Sequence, residues 1–275
     1  MEPRLQRRVQ RYGWDIASDL YEPLWREQLS AAHAGVLEMA PPRPGDRVLD
    51  TACGTGLVSL QAAACVGTPG YVLGTDISGR MVDAARGRAA AAGLGPVHFE
   101  RMDSEALALP DASFDLGYCA LGLMYMPDPL QAMREMHRVL RPGGRVALAV
   151  WGERTRCGWS GVFPIVDAEV SSDVCPLFFH LGNPGALEQL CADAGFIDMR
   201  VRRIETRLDY GDADAACDAA LVGGPVAMAW TRFDPATRHR VRTRYLEDIS
   251  RWQDGGEYHL PAEFVLLAAR KDGAG

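Results

Sequence analysis

Three aspartates stand at the ends of three short apolar runs: Asp50 in "RVLD", Asp76 in "YVLGTD" and Asp103 in "VHFERMD". Directly after the first comes the turn Ala52-Cys53-Gly54-Thr55-Gly56, and then an apolar helical stretch, "GLVSLQAAACV". Gly54 and Gly56 carry no Cβ, so a bulky ligand can approach the backbone. The helix start also offers unpaired N–H groups to a negative group such as an amino-acid carboxylate. Asp50, just before the turn, suits a ligand with an ammonium or other positive centre nearby. Asp76 can accept hydrogen bonds from both hydroxyls of a ribose, and Asp103 can accept from an exocyclic amine.

The elements that position these residues alternate along the chain. "RVLD", "YVLGTD", "VHFERMD", "FDLGYCAL" and "RVALAVW" read as strands, with helices such as "SGRMVDAARGRAAAAG" and "DPLQAMREMHRVLRPGG" between them. Short apolar strands separated by helices predict a doubly wound α/β domain whose mostly parallel sheet is covered on both faces. Ligands bind such sheets at the carboxyl ends of the strands, where the strand order reverses. There the three carboxylates outline an adenosine carrying an amino acid. A dinucleotide fingerprint would end in glycine or alanine, whereas "GTGLVS" ends in serine.

Flanking segments complete the layout. Residues 3–12 and 14–38 read as helices broken near Gly13, with Leu5, Val9, Tyr12, Ile16 and Leu20 on one buried face and Arg4, Arg7, Arg8 and Arg11 on a solvated stripe. "APPRPGD" ends this helical cap, residues 1–44. The cofactor-binding core spans 45–210 and contains an aromatic lid segment, 152–184, after which "GALEQLCADAGF" is a helix and "DMRVRRIETRLDY" a strand. Residues 211–258 form a helical insertion with Val241, Tyr245, Ile249 and Trp252 on one face, and 259–275 hold the last strand, "EFVLLAARK", and a tail. One domain over 1–275 is expected.

Composition removes several classes of function. The chain has 275 residues, 48% of them hydrophobic, and a net charge of −7, so it lacks the basic footprint of a nucleic-acid or anionic-membrane partner. No apolar run approaches the roughly 20 residues of a bilayer span, and the charged N-terminus has no signal-like core, so a cytoplasmic location is expected. Seven scattered cysteines with no C-x-x-C pair form neither a disulfide framework nor a zinc site, and no metal is expected.

"VLDTACGTG", "GTDISGRMVDAAR", "MDSEALALPDASFDLGYCAL", "REMHRVLRPGGRVAL" and "ALAVWG", in this order and spacing, resemble class I S-adenosylmethionine-dependent methyltransferases over roughly residues 45–152. The branch that includes the ubiquinone and menaquinone C-methyltransferases is the most similar in flavour. The resemblance implies a Rossmann-like, seven-stranded, mostly parallel sheet with an antiparallel last strand, and S-adenosyl-L-methionine as cofactor. It also implies that Asp50, Ala52, Gly54 and Gly56 enclose the methionine moiety and that Asp76 holds the ribose. By the same resemblance Ile77 and Met81 flank the adenine, Asp103 and the Ser104 backbone meet its polar edge, and Cys119 and Ala120 lie beside the sulfonium. The family often has glycine where Ala52 stands, which widens that contact. Tyr21 is the lid contact assigned to the cofactor.

Methyl transfer from a sulfonium is an in-line displacement that gains most from holding the acceptor about 3–3.5 Å from the methyl carbon. A general base is optional; Tyr125 in "GLMYMPDP" is the candidate orienting group, with His33, His180 and His259 behind it. Trp14, Trp25, Trp159, Phe163, Phe178, Phe179 and Trp230 are candidate walls of the acceptor pocket, which suggests an apolar or planar small molecule. Rival readings are an NAD(P)-dependent oxidoreductase, a non-catalytic S-adenosylmethionine-binding protein, and metalloid methylation through Cys157, Cys175 or Cys217. The acceptor, the methylated atom and the oligomeric state stay open at this point, with a homodimer as one option.

Overall fold

The computed structural model describes residues 3–170 and 178–273. Two helices, α1 (Pro3–Trp25) and α2 (Ser30–Met39), precede an alternating core. The core runs β1 (Arg47–Thr51), α3 (Leu57–Val66), β2 (Tyr71–Asp76), α4 (Gly79–Ala91), β3 (Val97–Arg101), β4 (Phe114–Ala120), α5 (Pro129–Val139) and β5 (Leu140–Trp151). Then come α6 (Val162–Val170), α7 (Ala186–Asp193), β6 (Phe196–Gly211), α8 (Ala213–Cys217), α9 (Ala227–Arg232), α10 (Pro235–Ile249), β7 (Gln253–Asp254) and β8 (Glu257–Lys271).

The sheet has the order β3-β2-β1-β4-β5-β8-β6, with the two-residue β7 pairing β8 beside that path. β1 through β5 pair in parallel, while β8 is antiparallel to both β5 and β6. Strand order reverses at β1, which has β2 on one side and β4 on the other. Both faces of the central strands are covered: Val48, Leu49, Val72, Leu116, Val146, Leu148 and Leu266 are at most 0% exposed. Such doubly buried strands need the continuous apolar runs of the sequence instead of an alternating pattern. On α10, Val241, Tyr245 and Ile249 are buried and Trp252 beyond its end is half-buried.

The N-terminal helices depart from expectation in two ways. First, α1 passes uninterrupted through Gly13, and the break falls at residues 26–29. One glycine costs a helix about 1 kcal/mol, and here the space it leaves lies against α9, where a Cβ would stand 3.7 Å from Met228. Pro23 removes a backbone donor near the helix end, two residues before it stops.

Second, Leu5, Tyr12, Ile16 and Leu20 face outward, each more than 40% exposed. The face turned inward carries Gln10, Ala17, Ser18 and Trp25 instead. Polar ties fix this orientation. The Ser78 hydroxyl donates to Asp15 at 2.6 Å, Arg80 pairs with Asp19 at 2.8 Å, and Arg88 pairs with Glu22, which together strap α1 along α4 from its start to its last turn. Helical periodicity identified a stripe, and these ties decide which side of the helix faces the protein.

Candidate active site

The carboxyl ends of β1, β2 and β4 open into one cavity roofed by α1, enclosing about 940 Å³ including its open mouth. Its floor begins at the turn after β1. Ala52, Gly54 and Gly56 all have positive φ, at 51°, 54° and 84°, a region that L side chains rarely adopt and that marks strained functional backbone. Neighbouring strands hold the turn in place: the Cys53 N–H donates to the Thr75 carbonyl at 3.0 Å, and the Gly54 N–H donates to Asp76 Oδ2 at 2.9 Å.

Asp76 Oδ1 accepts from the Ser78 N–H at 2.8 Å. Burial pushes the carboxyl up to about 6 against the pull of these two bonds. Asp50 lies deeper, 1% exposed, and accepts from the Ser59 hydroxyl at 2.5 Å. Desolvation lifts it to about 7. A buried pair of carboxyls held so far above the ordinary range favours a ligand that brings positive charge or hydroxyl donors.

Beyond β3, the Glu105 N–H donates to Asp103 Oδ1 at 3.0 Å, and Asp103 Oδ2 pairs with Arg7 Nε at 3.2 Å. Arg7 also pairs with the buried Glu105, so an arginine from α1 ties the roof to the rim where Asp103 stands. Opposite this rim, at the end of β5, Trp151 packs against Trp159 at 4.9 Å and Trp25 at 6.1 Å between ring centroids. Tyr125 lies between the two ends, edge-on to Trp14 at 5.1 Å and to Phe178 at 5.2 Å. The cavity thus joins a carboxylate-rich half at β2 and β3 to an aromatic half at β5.

Comparison with known proteins fits this arrangement. A family profile described as a methyltransferase domain matches residues 48–144. Nocamycin O-methyltransferase of Saccharothrix syringae is 28% identical over 95% of this chain and 98% of its own length. The ubiquinone/menaquinone biosynthesis C-methyltransferase of Bdellovibrio bacteriovorus is 38% identical over 51% of this chain, which spans 56% of that relative. Among solved structures, the YcgJ protein of Bacillus subtilis superimposes with a TM-score of 0.65 at 18% identity, covering 89% of this chain and all of that one.

Residues 48–144 carry a methyltransferase domain, and the chain is an S-adenosylmethionine-dependent methyltransferase. Its fold is the Rossmann-like sheet of that family and its cofactor is S-adenosyl-L-methionine. The cavity suits that cofactor on its own terms. The glycine turn leaves the floor open, Gly54 having only Tyr21 near the position of a Cβ at 3.8 Å. The buried Asp76 keeps accepting capacity beyond its two backbone bonds.

Of the residues singled out in the sequence, Tyr21, Ala52, Gly54, Asp76, Ile77, Met81, Asp103, Ser104, Ala120, Tyr125, Trp14, Trp25 and Trp159 line the methyltransferase cavity. Asp50 faces a small adjoining cavity with His33, Cys53 and Thr55. Gly56 starts α3 behind the turn, where a Cβ would press on the Phe99 ring at 3.0 Å. Cys119 is buried within β4, and its thiol is pushed up to about 12.

Phe163, Phe178 and Phe179 pack with Trp159 into an aromatic cluster behind the wall, and Trp230 packs against Phe233 and Arg238. These rings have neighbouring apolar surface to bury against, which draws them away from the cavity. His33 is buried and held down at about 4 by desolvation. His180 is exposed, and His259 pairs with Asp209 at 2.5 Å beside β6. Burial keeps Cys157 and Cys217 protonated, at about 12 and 11; Cys175 lies outside the described residues.

Sequence reasoning missed Arg7, Gln10, Glu105, Leu121, Gly122, Met126 and Trp151, all of which line the cavity. Leu121 and Gly122 follow β4 directly, and their place past a strand's carboxyl end was the available signal. Leu121 has φ 63°, unusual for a bulky residue. A Cβ on Gly122 would overlap that of Ala52. Gly122→Ala is therefore expected to destabilise the protein by about 1–3 kcal/mol through overpacking and to weaken S-adenosylhomocysteine binding as the turn shifts. Thermal unfolding with and without that ligand checks both, and an unchanged melting point would contradict the close approach.

Proposed function

We propose that this methyltransferase acts on a small, apolar or planar metabolite, and that one domain spanning residues 1–275 carries the whole reaction. The observation that supports it most is the continuity of one cavity from Asp76 and Asp103 to Trp14, Trp25, Trp151 and Trp159. An oxygen acceptor is favoured by the end-to-end match to nocamycin O-methyltransferase. S-adenosylmethionine, when bound, supplies an electrophilic methyl group on a sulfonium.

The chain's own residues bind, orient and exclude water. Asp76 accepts from the ribose hydroxyls, Ile77 and Met81 flank the adenine, and Asp103 with the Ser104 backbone meets its edge. Asp50, through the small adjoining cavity, with Ala52 and Gly54 takes the amino-acid end. Tyr21 and Trp14 close over the site from α1, and Ala120 leaves room at the end of β4. Tyr125 orients the acceptor by its hydroxyl, so most of the acceleration comes from proximity. Among the described residues no histidine lines this cavity, which supports orientation over a histidine base.

The net charge of −7 favours a small-molecule partner over nucleic acid, and no described helix is long and apolar enough to cross a membrane. A cytoplasmic location is part of the same proposal. Calorimetric titration with S-adenosylmethionine, S-adenosylhomocysteine and NADH tests the reading, followed by mass analysis of planar hydroxylated acceptors incubated with enzyme and S-adenosylmethionine. Binding of both sulfur nucleotides but not NADH, with a gain of one methyl group in a product, is the expected result. NADH binding alone would move the chain to hydride transfer, and nucleotide binding without methylation of any acceptor would favour a non-catalytic binding protein.

A further inference from the structure

Native proteins pair nearly all their buried polar groups, so an unpaired buried donor at a cavity points to a partner supplied by a ligand. Among the described residues, the indole Nε1 atoms of Trp25 and Trp159 are buried and have no hydrogen-bond partner. The two residues are 3% and 1% exposed. Their rings are neighbours, 5.8 Å apart at 66°, and both line the cavity. Tyr210, edge-on to Trp25 at 5.8 Å, has an unpartnered hydroxyl of its own and lies outside the cavity lining. The protein therefore leaves both indoles without a partner at the wall of its ligand site.

An indole N–H donates and cannot accept, so the missing partners are acceptors. Position separates them from the cofactor half. Both indoles pack on Trp151 at the end of β5, and β5 stands three strands from β2, which carries Asp76. At the usual strand spacing that is about 14 Å, with Ala120 of β4 between. The two tryptophans that carry these buried donors line the cavity on the acceptor's side.

We propose that Trp25 and Trp159 form a donor site for an accepting oxygen, such as a ketone carbonyl, on an otherwise apolar or planar methyl acceptor. This deepens the function proposed above and rests on it for the identity of the ligand as methyl acceptor. The surrounding rings bind the hydrocarbon body, and the indole N–H groups fix which way round it lies. A hydrocarbon of the same shape leaves both donors unpaired, and an isostere lacking the oxygen is thereby rejected. The two tryptophans are positioning and specificity residues; they take no part in the displacement itself.

The test compares two planar probes of nearly equal shape, 9-fluorenone and fluorene, which differ in one carbonyl. Nitrogen-15-labelled protein is titrated with each, with and without saturating S-adenosylhomocysteine, and the tryptophan indole signals are followed. Single Trp→Phe variants assign those signals. Fluorenone is expected to bind about fivefold more tightly than fluorene, the worth of one net hydrogen bond, and to move the Trp25 and Trp159 N–H signals downfield. In Trp25→Phe and Trp159→Phe the preference should shrink towards one.

Equal affinity for the two probes, binding of neither, or a fluorenone shift that spares both indoles would overturn the donor site. The probe comparison in the unsubstituted protein decides the matter even if a variant fails to fold. Failure of S-adenosylhomocysteine to bind would strike the cofactor reading alone, since the probe titrations without it still report on the indoles.

Discussion

Asp76→Ala is expected to weaken S-adenosylhomocysteine binding by at least about 100-fold. Hydrogen bonds to a charged group contribute about 1.5–3 kcal/mol each, and a ribose offers two hydroxyls to this carboxylate. Losing both amounts to roughly 3 kcal/mol at the low end, or two decades in Kd. The substitution also strips the acceptor from the Gly54 and Ser78 N–H groups, which Asp76 holds at 2.9 and 2.8 Å. Asp76→Asn separates the two contributions, because its amide oxygen can keep one backbone bond while the charge is gone. Calorimetry on both variants, with circular dichroism to verify the fold, gives the reading. A folded Asp76→Ala protein that binds within about threefold of the original would remove Asp76 from the ribose site.

The residues at the floor of the site were legible because parallel strands write themselves as apolar runs, and Asp50 and Asp76 each close one. Asp103 sits two residues past β3, where a strand-end reading still reached it. The roof was not legible in the same way. Leu5, Tyr12, Ile16 and Leu20 form a helical stripe, but periodicity cannot tell an inward stripe from an outward one when polar ties such as Ser78 to Asp15 fix the helix by its other face.

Arg7 was hidden for a related reason. Its partners Asp103 and Glu105 lie about a hundred residues away along the chain, so its charge read as one member of a solvated row. The aromatic wall divides similarly: composition pointed to many rings, yet only contact separates Trp25 and Trp159, which line the cavity, from Phe163 and Phe179, which pack behind them. Chemistry-bearing types at strand ends are a local signal, whereas the choice of roof face and wall is made by contacts distant in sequence.

Cofactor affinity should fall by at least about tenfold between roughly pH 7.5 and pH 5, the share of Asp76 alone. Burial holds Asp76 at about 6 and Asp50 at about 7, above the ordinary value of about 4. Between about pH 4 and 7 the native state therefore binds more protons than the unfolded chain. These two groups then contribute less to stability as pH rises through that window. The ligand works in the opposite sense. Ribose hydroxyls donating to Asp76 favour its anion, as a positive charge beside Asp50 favours the other. Binding thus expels protons, is fully developed above the raised values and is lost as the carboxyls protonate below them. Titrations near pH 6 in two buffers of different ionisation heat should show proton release, and Asp76→Asn should lose the part that belongs to Asp76. Identical heats in the two buffers, with affinity flat down to about pH 5, would mean that the ligand leaves both carboxyls in the protonation state it found them in. The cavity's charge would then be set by Arg7 and Glu105 at the rim instead of by the two buried aspartates.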